Sequence, residues 1–324
     1  LEEEPMKIVP FDNTAWVKDH PTGTISFQHL LKGEPNSPDN FMYILGRQDA
    51  DFWMPRHRHN FEQIRLPVRG DMNLGRGMVL REGEVGYFPE GVAYGPQEDP
   101  LGDAAPGERV QLVLLFGGAS GCGFMSIEQR RQARIELAET GRFDGNYYHR
   151  ADGKVKWGLN EIWEHVYGER LKYPKPRYQN VIIADPKCFN WLPMPNEDHV
   201  DRRYLGSFSE RGVWIEIIRI RAGAHWSSIE PRGRRLMTVL SGRGACGQTP
   251  IGRLASLQAE AGETLDLSAE TETELFVVGL PPVIVPSEEP EQFDYVEITD
   301  AARRTQFPGQ PGRREVSAAG GPRG

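Results

Sequence analysis

Short runs in which apolar and polar residues alternate dominate the chain between residues 41 and 116. "NFMYILGR", "FEQIRLPV", "DMNLGRGMVL", "EVGYFP" and "VQLVLLFGG" follow one another, broken by Gly, Pro and charged residues. Alternation of period two, with turns about every eight to twelve residues, predicts the short strands of a β-sandwich or barrel. An earlier run, "GTISFQHLL", predicts one more strand in an otherwise extended arm over residues 1–40. The period changes at residue 126. "SIEQRRQARIELAETG" (126–141) opens on Ser126 followed by Glu128 and closes on Gly141, so a helix capped at both ends is expected. In "GLNEIWEHVYGERL", Leu159, Ile162, Trp163, Val166 and Tyr167 fall on one face at helical spacing and predict a second helix. Pro-rich "KYPKPRYQN" marks a connector. From about residue 201 the strand runs return, in "YLGSFS", "GVWIEIIRIRAG", "RRLMTVLSGRG", "ETLDLS" and "TELFVVGLPPVIV". The pattern predicts a mainly β chain laid out as β-block, helical insert, β-block and a Gly-, Pro- and Arg-rich tail expected to be partly disordered.

The two β-blocks share an order of elements. "IRLPVRGDMNL" and "LREGEVGYFPEGVAYG" in the first are matched by "MTVLSGRGACG" and "LQAEAGETLDLSAETETELFVVG" in the second. Each reads strand, glycine turn, strand, an "EG" or "AG" turn, a short strand and a final strand. That order indicates a diverged internal duplication.

Composition narrows the function classes. With 36 Gly and 25 Pro in 324 residues, the chain suits many strands joined by turns. The formal net charge of -8, with no basic run before the tail, makes a nucleic-acid partner a poor expectation. Cys122, Cys188 and Cys246 are scattered and form no CxxC pair, which suggests a reducing compartment and no disulfide framework. No run of about 18 apolar residues occurs, and acidic "LEEEPMKIVP" lacks the apolar core of a signal peptide. A cytoplasmic protein without a membrane partner is expected, and a homo-oligomer remains open.

The candidate chemistry lies in "MPRHRHNFEQIRLPVRG" (54–70). On a strand, residues 57, 59, 61, 63 and 65 share one face, so His57 and His59 stand with Gln63 while Glu62 points to the other side. Imidazole nitrogens suit Fe, Mn, Ni, Cu or Zn, and a Gln oxygen is a weaker, neutral donor. Arg65 is on the same face. Its guanidinium needs an anionic partner there, either a ligand carboxylate held bidentately or an internal acid such as Glu84 or Glu90.

On these residues the first block resembles a cupin, and the pair of blocks resembles a bicupin: two small antiparallel barrels with a helical insert between them. His57 and His59 match the HxH of the first cupin motif, and counting back seven positions from Gly70 places Gln63 where that motif carries Glu. "FPEGVAYG" supplies the PxG of the second motif at Pro89 and Gly91, with Tyr94 where the third histidine usually stands. The HxH with a following arginine is also similar to gentisate-type ring-cleaving dioxygenases, which lack the motif glutamate but retain the third histidine. The resemblance implies a divalent transition metal on His57, His59, Gln63 and Tyr94. It further implies a small carboxylate substrate on Arg65, with Tyr94 moving a proton, in dioxygenase, isomerase or lyase chemistry. The alternatives are a hydrogen-bonded polar cluster without metal and a non-catalytic cupin that binds or senses a small ligand.

The resemblance divides the chain into an arm (1–40), a barrel with the metal site (41–125), a helical insert and connector (126–200), a degenerate barrel (201–285) and a tail (286–324). In the second barrel Arg235 stands at the glutamate position, Ile229 and Pro231 lie near the HxH positions, and His225 is alone, so a scaffold role is expected. Gly242, Gly244 and Gly247 fit GxGxxG, but no helix is expected to follow. Glu161 and His165, four apart, are expected to be a solvated pair on the polar face of the insert helix.

Overall fold

The computed structural model describes residues 6–18, 24–75, 77–98, 107–284, 286–288 and 292–294. The alternating runs of the first half become β1 (Lys7–Val9), β2 (Ile25–Lys32), β3 (Phe41–Gln48), β4 (Trp53–Met54), β5 (Glu62–Arg69), β6 (Met72–Gly75), β7 (Met78–Leu80), β8 (Val85–Phe88), β9 (Gln97–Glu98) and β10 (Val110–Phe116). The middle carries α1 (Ile127–Ala138), β11 (Gly141–Asp144), β12 (Tyr147–Arg150), β13 (Val155–Trp157), α2 (Gly158–Tyr167), β14 (Lys172–Pro174), β15 (Ile182–Ala184) and β16 (Leu192–Pro193). The second half adds β17 (Val200–Phe208), β18 (Val213–Ile220), β19 (His225–Ile229), β20 (Arg234–Ser241), β21 (Arg243–Cys246), β22 (Thr249–Gly252), β23 (Ser256–Ala259), β24 (Thr264–Ala269), β25 (Thr273–Leu280) and β26 (Gln292–Asp294). The chain is mainly β, and its sheets are antiparallel.

Two large sheets organise it. One is six-stranded, in the order β15-β8-β5-β10-β3-β2, and the other is seven-stranded, in the order β1-β23-β20-β25-β18-β17-β16. The order β8-β5-β10-β3-β2 in the first matches β23-β20-β25-β18-β17 in the second. At the edge next to β8 and β23 the two halves exchange strands. β1, which precedes the first half, pairs with β23, and β15, which precedes the second half, pairs with β8. Each exchange covers a sheet edge that would otherwise be open to association.

Alternation along each strand sends its side chains to opposite faces. Tyr43, Leu45, Ile64, Leu66, Leu112 and Leu114 cover one face of the six-stranded sheet and pack on Ile215, Ile217, Leu236, Phe276 and Val278 of the seven-stranded one. The Tyr43 and Thr238 hydroxyls, both buried, bond at 2.8 Å within that interface. Each Leu or Ile buried there contributes roughly 1.5–3 kcal/mol, so the halves are joined by a true core. The opposite faces differ. In the second half that face is closed by Trp226, Met237, Val239, Leu257, Leu265 and Leu267. In the first, apolar residues such as Phe27, Ile44 and Val113 share it with the polar side chains described below.

The middle segment is less helical than the periodicity implies, because β11, β12 and β13 form a three-stranded sheet beside the two helices. α1 starts as expected at Ser126, in a reciprocal capping box with Gln129. Its other end differs. The helix stops at Ala138 with Glu139 as C-cap, and Gly141 begins β11, where a Cβ would lie 2.4 Å from the Tyr148 hydroxyl. That glycine serves close packing and not a left-handed helix end. Leu159, Ile162, Trp163, Val166 and Tyr167 of α2 pack against α1 and β12, as their spacing predicts. Glu161 and His165 are not a solvated pair. Glu161 is buried and takes both charged ends of Arg150 at 2.8 Å, while His165 pairs with Glu136 at 2.6 Å. Among the described residues no helix is long and apolar enough to cross a membrane. The tail expected to be disordered falls, from residue 295 on, outside the described residues.

Candidate functional site

The HxH segment is fixed to the loop that follows β8. His57 and Tyr94 exchange backbone hydrogen bonds in both directions at 3.0 Å, and the Gly91 N–H donates to the His59 carbonyl at 2.8 Å. Gly91 has φ 76°, and a Cβ there would sit 2.1 Å from the Pro174 carbonyl oxygen. Only glycine meets both conditions, which is the physical content of the PxG turn. The strand expected from His57 onward begins only at Glu62, because the segment before it turns to pair with Tyr94; on β5 itself, Gln63 pairs with Phe88 and Arg65 with Gly86 of β8. These tethers bring His57, His59, Gln63, Arg65 and Tyr94 together on the inner face of the six-stranded sheet. Gln63 and Tyr94 are buried, whereas His57, His59 and Arg65 keep partial exposure, so the cluster is open on one side.

The hydrogen bonds assign the protons. Arg65 donates from Nε (3.1 Å) and Nη2 (2.7 Å) to Gln63 Oε1, and Nη2 also donates to the Tyr94 hydroxyl at 2.7 Å. Because arginine only donates, Gln63 must turn its oxygen to Arg65 and its amide nitrogen to Tyr94, 3.2 Å away. The Tyr94 oxygen thus receives two N–H groups, and its own proton is directed at His59 Nε2, at 3.1 Å. His57 Nδ1 lies 2.7 Å from the Pro55 carbonyl, which can only accept, so its proton is on Nδ1 and Nε2 carries a lone pair. Burial, with the Arg65 charge adding to it, lowers the His57 pKa to about 4, and the ring is neutral at pH 7. Burial likewise raises the Tyr94 hydroxyl above its ordinary value, against the pull of Arg65.

Neither acid considered as an internal partner reaches Arg65. Glu84 pairs with Arg81 at 3.4 Å. Glu90 is held by the Ser120 hydroxyl at 2.5 Å and by Arg177 at 2.9 Å. Among the described residues no carboxylate forms an ion pair with Arg65, and its Nη1 has no acceptor. The guanidinium lies 4.7 Å from the Phe88 ring centre and 5.2 Å from that of Tyr94, which holds its plane. Phe61, just ahead of β5, packs against His59 at 4.6 Å and Phe124 at 4.9 Å between ring centres and supplies an apolar wall.

Glu62 faces away, as its position in the alternation requires. The sequence did not disclose that it is fully buried there, against the second half. Burial first, and the nearby Glu90 charge second, push its pKa up to about 8, with the Tyr87 and Ser209 hydroxyls and Arg211 opposing. Burial thus favours the protonated form of this carboxyl. Gln63–Phe88 pairing on β5 and β8 corresponds to Arg235–Ala259 on β20 and β23, which puts Ile229 and Pro231 at the histidine positions of the second half. Arg235 there is tied to the Ser228 hydroxyl and carbonyl at 3.0 Å, and the interior of that half is apolar, with Trp226 and Met237 among its buried residues. His225 pairs with Asp266 on the surface.

No family model and no curated protein matches this chain. Solved structures do. A provisionally assigned dioxygenase from Nostoc punctiforme aligns over 84% of this chain and 78% of its own, with a TM-score of 0.52 and 14% identity. A provisionally assigned glyoxylate-induced protein from Pseudomonas aeruginosa aligns over 89% and 93%, with a TM-score of 0.52 and 11% identity. Streptomyces albus HEPD, solved with Fe(II) and 2-hydroxyethylphosphonate, aligns over 95% and 77%, with a TM-score of 0.49 and 12% identity. At these identities the likeness is one of fold, and the fold is of the cupin type.

A divalent metal, which such a fold implies, has to be held by the donors present. Gln63 offers an oxygen already engaged by Arg65, Tyr94 a protonated hydroxyl, and His59 a nitrogen that faces that hydroxyl. Only His57 Nε2 is left uncommitted by these bonds. The described residues contain no group of three or more His, Cys, Asp and Glu that could hold a metal ion. Arg65 adds a positive charge that no carboxylate offsets among the described residues. A dication held among these side chains would be repelled by the guanidinium. The residues do not fit a divalent ion in this arrangement.

Proposed function

We propose that the chain is a bicupin in which the first barrel, residues 41–125, binds a small organic carboxylate on Arg65, while the second, residues 201–285, is a scaffold. The observation that carries this reading is the Arg65 guanidinium itself. It is aimed into a partly open site, oriented by Gln63, Tyr94 and Phe88, and lacks an internal counter-ion among the described residues. A ligand carboxylate supplies that counter-ion, with Nη1 and Nη2 as donors. The closed apolar interior of the second half supports the scaffold role.

The chemistry that the same geometry favours is proton transfer of the isomerase or lyase type. His57 is neutral, its Nδ1 is fixed on Pro55, and its Nε2 can accept a proton from a ligand anchored beside it. Binding an anion on Arg65 removes part of the field that depresses His57, which makes the imidazole a stronger base when the site is filled. A second reading, a cupin that binds a carboxylate without turning it over, is favoured by one feature. His59, Gln63 and Tyr94 already satisfy one another.

Calorimetric titration with benzoate, pyruvate and 2-hydroxypropanoate tests binding, and exchange of the 2-hydroxypropanoate C2 proton and the pyruvate methyl protons in D₂O, followed by NMR, tests catalysis. Binding with His57-dependent exchange supports the enzyme, and binding without exchange supports the second reading. No binding by any carboxylate across a broader acid panel removes both.

A further inference from the structure

We propose that this site works with a cation borne by the protein, the Arg65 guanidinium, in place of a divalent metal, and that Gln63 and Tyr94 are the residues that make the exchange possible. The inference rests on the carboxylate reading above and adds how the anion is held and what the pocket rejects.

Gln63 is the decisive neighbour. Its oxygen accepts twice from Arg65, at 3.1 and 2.7 Å, and so fixes the guanidinium without cancelling its charge. A glutamate in the same place would form a bidentate ion pair with Arg65 and leave little field for a ligand. It would also restore an anionic donor beside His57 and His59. The neutral amide therefore does two things at once: it preserves the positive charge and withholds the strongest oxygen donor from any metal. Tyr94 completes the substitution. Its hydroxyl accepts from Arg65 at 2.7 Å and lies 3.1 Å from His59 Nε2, so the nitrogen that would bind a cation faces a proton instead. An imidazole at residue 94 could supply a lone pair, whereas a buried protonated phenol is a weak ligand.

Charge on both sides of the pocket agrees with this. Two acids that flank the site residues in sequence are turned away, Glu62 to the inter-sheet face and Glu90 to Arg177 and Ser120. Nothing on the inner face offsets Arg65 among the described residues, so a monoanion neutralises the site and a dication adds to its charge. Phe61, packed on His59 and Phe124, gives the site an apolar side, and the ligand class is a small monocarboxylate.

The test is a reciprocal exchange of affinities on the full chain. Chelator-treated protein is titrated with Mn(II), Ni(II) and Zn(II), and separately with benzoate and pyruvate in the presence of EDTA. The untreated protein is analysed for metal content. The variants are Gln63→Glu and Gln63→Glu/Tyr94→His, each checked for folding by circular dichroism and melting. Wild type is expected to carry no stoichiometric metal, to bind the metals no better than a Gln63→Glu/His57→Ala/His59→Ala control, and to bind carboxylate undiminished by EDTA. Gln63→Glu should lose carboxylate affinity by at least about tenfold, and the double variant should gain metal affinity by about a hundredfold or more. Stoichiometric metal in wild type, or carboxylate binding that disappears with EDTA and returns with a metal, overturns the proposal. If wild type binds neither class, the carboxylate reading fails and the protein-borne cation fails with it. If it binds carboxylate only with metal, the carboxylate reading survives and this inference alone is lost. Should Gln63→Glu not fold, the metal content and EDTA dependence of wild type still decide the matter.

Discussion

Arg65 Nη2 lies 2.7 Å from Gln63 Oε1, so a cation is oriented by a neutral amide at the position where a cupin motif places a carboxylate. That contact decides the character of the site. With a glutamate there the pocket would hold a salt bridge, or a metal with an anionic ligand. With the amide it holds, next to two imidazoles, a guanidinium that no carboxylate pairs among the described residues.

Arg65→Ala should weaken binding of a small monocarboxylate by about 30- to 200-fold, the range for one charge-assisted hydrogen-bonded contact worth about 2–3 kcal/mol. Arg65→Lys should recover only part of this, since an ammonium cannot make the planar contact to Gln63 and the ligand together. Calorimetric titration measures both. An unchanged affinity in Arg65→Ala would show that the carboxylate sits elsewhere.

His57 is expected to titrate near its lowered value of about 4 in the free protein. The folded state then binds fewer protons than the unfolded one between about pH 6.5 and 4. Stability from this group is complete above that window and falls as the pH drops through it. His57→Gln should flatten that slope in urea-denaturation midpoints. Bound carboxylate, by offsetting Arg65, should raise the His57 value, so that binding takes up protons in acidic buffer. NMR titration of the imidazole reads both effects, and a free-protein value of 6.5 or more would refute the assigned environment.

Glu62 behaves in the opposite sense. Its pKa, raised to about 8, lies above the unfolded value, so the folded state binds more protons between about pH 4.5 and 8. Stability is complete below that window and is lost as the pH rises through about 8. Glu62→Gln mimics the protonated acid and should leave stability near pH 5 almost unchanged while raising it by a few kcal/mol at pH 9, an order-of-magnitude figure for a fully buried carboxyl. Denaturant midpoints at the two pH values check it. A variant destabilised equally at both would mean that the carboxylate form is the native one.

Gly91→Ala should destabilise the chain by about 2–4 kcal/mol, because a positive φ and a clash with the Pro174 carbonyl act together. The turn it disturbs also carries Tyr94 to His57, so carboxylate binding should fall with it. A thermal melt and a titration on the same sample test the coupling. A variant that is destabilised yet binds normally would separate the turn from the site.

The sequence determined, without help, whatever depends on a single strand or helix. Period-two alternation put Gln63 and Arg65 on one face of β5 and Glu62 on the other, because successive side chains of a strand must diverge; His57 and His59 precede β5 and reach that face only through the bridge to Tyr94. Ser126 likewise announced the start of α1, since a cap bonds only within its own first turn. What depends on a second, distant segment was out of reach. The strand exchange of β1 and β15, the burial of Glu62 beside Ser209 and Arg211, and the close contact that places Gly141 in a strand each need two segments far apart in the chain. The same holds for the site. The residue types suggested metal ligands, but whether a lone pair is free is settled by its hydrogen-bond partner. That partner is chosen by the packing of β5 against β8 and the loop bearing Tyr94, a property of tertiary structure and not of local pattern.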